Sequence, residues 1–198
     1  MRIGVIGSGR VGSTLGGIWA GSGHEVTFGS REPTSEAMAD LVARVPGARV
    51  ASLQDALAGA EAVLLAVPGA AAEAVVRGLG GWQDKVVLDA TNRRGEEGDA
   101  NAVEIQRAAP GGHVVKAFNV VGVEAMARAA RGEATGTLPL AGNDDDAVGV
   151  AAHLARDAGF EPLHVGGLAM AASLERLAWV WIDWSRVLGR HFLWQVVR

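Results

Sequence analysis

Arg2-Ile3-Gly4-Val5-Ile6-Gly7-Ser8-Gly9-Arg10-Val11-Gly12 follows the first methionine and decides how the rest of the chain is read. Ile3 to Ile6 scarcely alternates between apolar and polar, the pattern of a strand buried on both faces of a parallel sheet. Val11 to Ala20 then reads as a helix, stopped by Gly21-Ser22-Gly23. Between them, Gly7 to Gly12 fits G-x-G-x-x-G. In a chain with 28 glycines that hexapeptide says little by itself. Its place after a strand and at the mouth of a helix, inside a unit of about 30 residues, makes it a candidate dinucleotide loop. In that role Gly7 permits the tight turn, Gly9 lets the backbone approach a pyrophosphate, and Gly12 lets helix and strand pack closely. The helix N-terminus offers free N–H groups and a partial positive charge. A glycine-rich turn without a ligand is the alternative reading.

Working outward, the same alternation continues. Strands are expected at Glu25 to Phe28, Arg49 to Ala51, Ala62 to Val67, Val86 to Asp89 and Val114 to Phe118. Helices are expected at Thr34 to Arg44, at Leu53 to Leu57 under a Ser52 cap, from Pro68-Gly69 to about Leu79, and near Ala102 to Ala109. This predicts an α/β fold, a doubly wound, mostly parallel sheet of the Rossmann NAD(P)-binding kind with right-handed crossovers. Residues 1–120 form the dinucleotide-binding core of a single domain, 1–198. Residues 121–198 form a small strand–helix extension that would carry the acceptor site and dimer contacts. The extension reads as helix Val123 to Arg131, strand Thr137 to Ala141, helix Asp144 to Ala158, strand Glu161 to Val165, and a helical region from Leu168 to the C-terminus with a break at Gly189. Gly95 to Gly98 reads as a surface loop.

Composition removes several chemistries. The 198 residues are 49% hydrophobic and 20% charged, an ordinary globular balance. Without cysteine there is no thiol nucleophile, disulfide or iron–sulfur cluster, and without tyrosine no reductase that relies on a Tyr acid. The five histidines are scattered, with no pair at metal-ligand spacing, so no metal is expected. A net charge of −4 argues against nucleic acid as a partner. No apolar run approaches the roughly 18 residues of a membrane span, and the opening residues do not form a leader. A soluble, cytoplasmic protein is expected.

The end of the second strand should choose the cofactor. An NAD site places an acidic side chain there. This strand ends Phe28-Gly29-Ser30-Arg31, a hydroxyl donor and a guanidinium that suit the 2′-phosphate of NADP. Glu32, one residue on, leaves NAD open. Pro68, Thr91-Asn92 and Asn119 sit at carboxyl ends of parallel strands, where ligands bind open α/β sheets. Asn92 and Asn119 are candidates to orient a carboxamide or carbonyl, or else simply cap their loops. Lys116 is the one candidate proton donor, with a structural strand-end lysine as its competing role. Arg93-Arg94 could dock an anionic acceptor or form a solvated pair.

Taken together, Gly7 to Gly12, Gly29-Ser30-Arg31, Ala66-Val67-Pro68, Asp89-Ala90-Thr91-Asn92, Lys116-Ala117-Phe118-Asn119 and Ala141-Gly142-Asn143-Asp144 resemble the NADPH-dependent coenzyme F-420 (8-hydroxy-5-deazaflavin) oxidoreductases. Gly159-Phe160-Glu161-Pro162, Gly166-Gly167-Leu168 and Leu174-Glu175 extend the resemblance. It implies hydride transfer between NADP(H) and a deazaflavin or flavin-like small-molecule acceptor. It also implies a phosphate-loop role for Ser8, Arg10 and Val11, a 2′-phosphate role for Ser30 and Arg31, and a place beside the nicotinamide ribose for Ala66, Val67 and Pro68. The same module occurs in transmembrane ferric reductases, so an NADPH-dependent ferric or flavin reductase is the alternative, with a non-catalytic NADP-binding redox sensor as a third reading.

A homodimer is expected through the last helix. Leu174, Leu177, Trp181, Trp184 and Leu188 recur at helical spacing, Trp179, Val180 and Ile182 flank them, and large aromatics favour interfaces.

Overall fold

The computed structural model describes residues 1–93 and 100–197. Eight strands form one sheet in the order β3-β2-β1-β4-β5-β6-β7-β8. They are β1 (Arg2–Ile6), β2 (Glu25–Ser30), β3 (Arg49–Ser52), β4 (Ala62–Leu65), β5 (Val86–Asp89), β6 (His113–Lys116), β7 (Gly136–Gly142) and β8 (Phe160–Gly166). All neighbouring pairs are parallel except β6 and β7. The mostly parallel Rossmann-like sheet expected from the sequence is therefore present, and the extension continues it.

Among the described residues, eight α-helices cover the two faces: α1 (Arg10–Gly21), α2 (Glu36–Arg44), α3 (Leu53–Ala58), α4 (Gly69–Leu79), α5 (Asn101–Ala108), α6 (Val123–Ala130), α7 (Asp145–Asp157) and α8 (Ala171–Leu188). Successive strand residues serve opposite faces, which is why the strands carry no polar alternation. Val5, Leu64 and Leu88 pack with α1 and α7 through Leu15, Trp19 and Leu154. Ile6, Val63, Leu65 and Val87 pack with α3, α4 and α5 through Leu57, Val76 and Ile105. The two largest core side chains bury satisfied indoles: Trp19 Nε1 donates to the Leu154 carbonyl at 2.9 Å and Trp82 Nε1 to that of Val76 at 2.8 Å.

Register puts Gly29, Ile6, Leu65, Asp89 and Lys116 in one row across the carboxyl edge. Each candidate ligand segment leaves the sheet one to three residues after that row. The sequence ran β4 to Val67 and β6 to Phe118; both stop earlier, at Leu65 and Lys116. Phe118 explains the second. Its φ is +61°, an uncommon conformation for a bulky residue, held by edge-on packing against Trp19 and Phe160. That turn delivers Asn119 toward the neighbouring loop.

The helical region expected from Leu168 breaks at Gly189 as read from the sequence, but the residues beyond it are not helical. One 3-10 turn (Leu168–Met170) precedes α8, which ends at Leu188, and Gly189 turns the chain at φ +77°. The tail folds back: Trp181 stacks on Phe192, Trp194 Nε1 donates to the Val120 carbonyl at 3.1 Å, and Thr137 N–H donates to Trp194 O at 2.8 Å. The single apolar stripe is also split. Leu174 and Trp181 face the core, while Trp184 and Leu188 are exposed. Among the described residues, no helix is long and apolar enough to cross a membrane.

Candidate functional site

The loop between β1 and α1 is fixed by two glycines. Gly7 has φ +110°, and a Cβ there would lie 2.4 Å from the Ala66 carbonyl. A Cβ on Gly12 would meet the Gly7 carbonyl, so no side chain fits. Gly9 differs: a Cβ there would meet nothing within 4 Å. It is the N-cap of α1, with no side-chain cap and no acidic residue in the first turn. The first-turn N–H groups have no carbonyl four residues back to bond. Open space, free donors and a positive dipole end fit a pyrophosphate.

Beside this loop lies a cleft of about 620 Å³ at the point where the chain leaves β1 for opposite sides of the sheet. It brings together Gly7, Ser8, Gly9, Ser30, Arg31 and the Ala66-Val67-Pro68 segment. Ser30 Oγ accepts from Glu32 N–H at 3.0 Å, which leaves its own proton to give. Arg31 and Glu32 are exposed at the rim. These residues fit an adenine dinucleotide whose ribose end lies at β2.

Arg10 and Val11 do not line that cleft. Val11 packs on the core, and the Arg10 guanidinium donates to Glu124 Oε1 of α6 at 2.5 Å. Arg190, in the tail, donates from Nε to both oxygens of the same carboxylate at 3.1 Å. Burial pushes the Glu124 carboxyl up, but hydrogen bonds from its own backbone N–H, Arg10 and Arg190 outweigh this and hold it below the usual carboxylate range.

The β5–β6 side of the edge is built differently. Lys116 is fully buried, and its ammonium donates to Asp89 Oδ2 at 2.9 Å, to Glu175 Oε1 at 2.8 Å and to the Thr91 carbonyl. Three donors meet three acceptors, the full capacity of an ammonium. Glu175 is on α8, and its carboxylate also accepts Asn101 N–H at 2.9 Å and Arg93 N–H at 3.2 Å. Thr91 Oγ1 donates to Asp89 Oδ1 at 2.6 Å and accepts from Asn101 Nδ2 at 2.9 Å. Asn92 and Asn119 pair with each other: Asn119 Nδ2 donates to Asn92 Oδ1 at 3.0 Å, and Asn92 Nδ2 to the Asn119 carbonyl at 3.2 Å. Asn119 Nδ2 also reaches the Leu174 carbonyl at 3.0 Å.

Asn92 and Arg93 line a second cleft of about 450 Å³, and Pro68 forms a wall of both. The carbonyl of Arg93 accepts from Trp179 Nε1 at 3.0 Å. Arg94 and the Gly95 to Gly98 loop lie outside the described residues. Asn101, central to this network, was missed in the sequence. An asparagine at the start of α5 could have drawn notice as a helix-terminus residue.

The glycine loop, the switch-point cleft and the strand order define a Rossmann-like dinucleotide-binding protein. Residues 2–93 match the model of a family described as NADP oxidoreductase, coenzyme F420-dependent. A protein of Arthrobacter sp. FB24, provisionally described as an F420-dependent NADP reductase, is 29% identical, covers 100% of both chains and superposes with a TM-score of 0.88. A hypothetical protein of Sinorhizobium meliloti is also 29% identical, with a TM-score of 0.74 over 85% of this chain and 86% of its own. The rat metalloreductase STEAP3 is 28% identical over 180 residues, which are 89% of this chain and 36% of that protein, so the chain spans about a third of that reductase.

Proposed function

We propose that the protein is an NADP(H)-dependent oxidoreductase exchanging a hydride with a deazaflavin (coenzyme F-420) or flavin-like acceptor. The observation that carries this reading is the switch-point cleft, with Gly9 open to a pyrophosphate and Ser30-Arg31 at the ribose end. In this reading Ser30 and Arg31 hold the 2′-phosphate, the Ser8-Gly9 backbone and the first turn of α1 hold the pyrophosphate, and Ala66-Val67-Pro68 form the wall beside the nicotinamide ribose. NADP(H), when bound, supplies or takes up the hydride.

What the chain itself withholds supports a ring-to-ring transfer. Among the described residues, neither cleft is lined by a histidine or lysine; Glu32 lies exposed at the rim of the first, and Glu73 and Glu104 of the second pair with Arg77 and Arg107. The buried ammonium of Lys116 is committed to Asp89, Glu175 and Thr91. A carbonyl or imine substrate would need a positioned proton donor, whereas two stacked redox rings need proximity and orientation. The full-length likeness to the Arthrobacter protein favours deazaflavin. The likeness to the rat metalloreductase makes a ferric or flavin acceptor the second reading.

The test is consumption of NADPH, followed by its near-ultraviolet absorbance, with deazaflavin, FMN, FAD and ferric chelates offered in turn. Turnover fastest with deazaflavin is expected. Turnover with ferric chelate alone would favour the second reading, and none with any acceptor would leave a binding module. The proposal extends to a homodimer through Val180, Trp184, Val187 and Leu188, which α8 leaves exposed. Light scattering should give the mass of two chains; the mass of one rejects it.

A further inference from the structure

Across the sheet from the cofactor cleft, at the amino-terminal edge of the strands, three side chains distant in sequence converge. His24 stands between α1 and β2, and His153 and Asp157 lie one turn apart on α7. His24 Nε2 is 2.9 Å from Asp157 Oδ2, and His153 Nε2 is 3.4 Å from the same oxygen. The three atoms lie within 4.8 Å of one another, and the rings meet edge to face at 5.8 Å. We propose that His24, His153 and Asp157 form a structural binding site for a divalent transition metal of the zinc type.

The spacing is the first support. Tetrahedral zinc with bonds of about 2.0–2.2 Å sets its ligand atoms roughly 3.3–3.5 Å apart. The two spacings to Asp157 lie near that value, and the exposed His153 and partly exposed Asp157 can shift to admit an ion beside the buried His24. The donor set is the second. Two imidazole nitrogens and one carboxylate oxygen suit zinc, nickel or copper and are a poor match for calcium or magnesium, which take oxygen ligands. The third is the burial of His24. Its side chain is 7% exposed, and Nδ1 is buried without a hydrogen-bond partner. The hydrogen bond that fixes this ring is at Nε2, the edge that faces the cluster, and a metal there would leave the Nδ1 proton without an acceptor, a cost that limits the affinity of the site.

Access and role follow from position. His153 is exposed and Asp157 partly so, which gives the ion an entry path and leaves its fourth position to water. Binding displaces any proton on the two Nε2 atoms. The metal would then tie the start of β2 to the last turn of α7, beside the existing link from the Trp19 indole to the Leu154 carbonyl. The site stabilises the fold and does not take part in hydride transfer. Histidine spacing along the chain does not reveal it, because the pair forms only when α7 packs beside α1.

Untagged protein stripped with chelator and titrated with Co²⁺, then Zn²⁺, tests this. Expected are one Co²⁺ per chain with the strong visible absorption of a tetrahedral ion, its displacement by one Zn²⁺, and a rise in thermal midpoint with Zn²⁺. His153→Gln alters an exposed side chain and should fold normally, yet lose at least tenfold in metal affinity and the whole thermal shift. His24→Gln is the supporting variant. NADPH binding should be the same with and without metal. No saturable binding by the unaltered protein, or equal binding by His153→Gln, would overturn the site.

Discussion

The two sides of one sheet edge solve opposite problems. At β1 and β2 the chain leaves donors without acceptors: the first turn of α1 has no acidic cap, and Arg31 stands at the rim of an open cleft. At β5 and β6 the chain supplies every acceptor itself. Asp89 and Glu175 enclose Lys116, and Glu175 also takes the N–H groups of Arg93 and Asn101. A polar residue after a parallel strand thus faces an open cleft on one side and serves as a clamp on the other. The difference is set by α8, which brings a carboxylate to one side only.

Lys116→Met should break the closed side hardest. It leaves two carboxylates buried without their cation, at a cost of about 3–5 kcal/mol. Urea unfolding would show this, with NADPH affinity of the folded protein unchanged. A cost below about 1 kcal/mol, the range of exposed pairs, would erase the distinction between the two sides.

Two glycines separate shape from binding on the open side. Gly7→Ala forces a side chain into φ +110° and against the Ala66 carbonyl, so a stability loss of at least about 1–3 kcal/mol is expected. Gly9→Ala meets no protein atom within 4 Å. It should unfold at nearly the original temperature but bind NADPH more weakly in calorimetry, because the methyl group stands where the proposed site would admit the pyrophosphate. Equal thermal losses in both variants would show that Gly9 serves the fold.

The smallest effect concerns the link between the loop and the tail. The folded-state pKa of Glu124 is lowered, so its pairing with Arg10 and Arg190 contributes stability that is present above the unfolded carboxylate value and lost as pH falls through the folded one. Part of the acid loss of stability should therefore disappear in Glu124→Gln, by no more than about 1 kcal/mol because Arg10 is largely exposed. Identical acid limbs in urea titrations of the two proteins would remove the link.

These contrasts also mark what the sequence could show. The glycine loop and the strands announced themselves because their signals are local: an apolar run, a turn, a helix start. The place of Ser30 and Arg31 at the carboxyl edge was legible for the same reason, one step past a readable strand. The antiparallel placement of β7 was not, since no local pattern distinguishes it from β6. Glu175 reaches Asn101 across 74 positions, and His24 reaches Asp157 across 133, so only packing reveals either contact. Gly189 did signal the end of α8, but the return of Trp194 to Val120 depends on where α6 lies. Trp179, Trp181 and Trp194 thereby hydrogen-bond within the chain, which leaves Trp184 as the exposed tryptophan of the cluster.

The central claim is that the open side holds NADP(H) by its 2′-phosphate, and Arg31→Ala tests it most directly. A charge-assisted hydrogen bond contributes about 1.5–3 kcal/mol, roughly a tenfold to hundredfold change in dissociation constant. Calorimetry should show NADPH weakened by that factor and NADH hardly changed, since only NADPH carries the phosphate. Equal losses for both cofactors, or none for NADPH, would contradict the account.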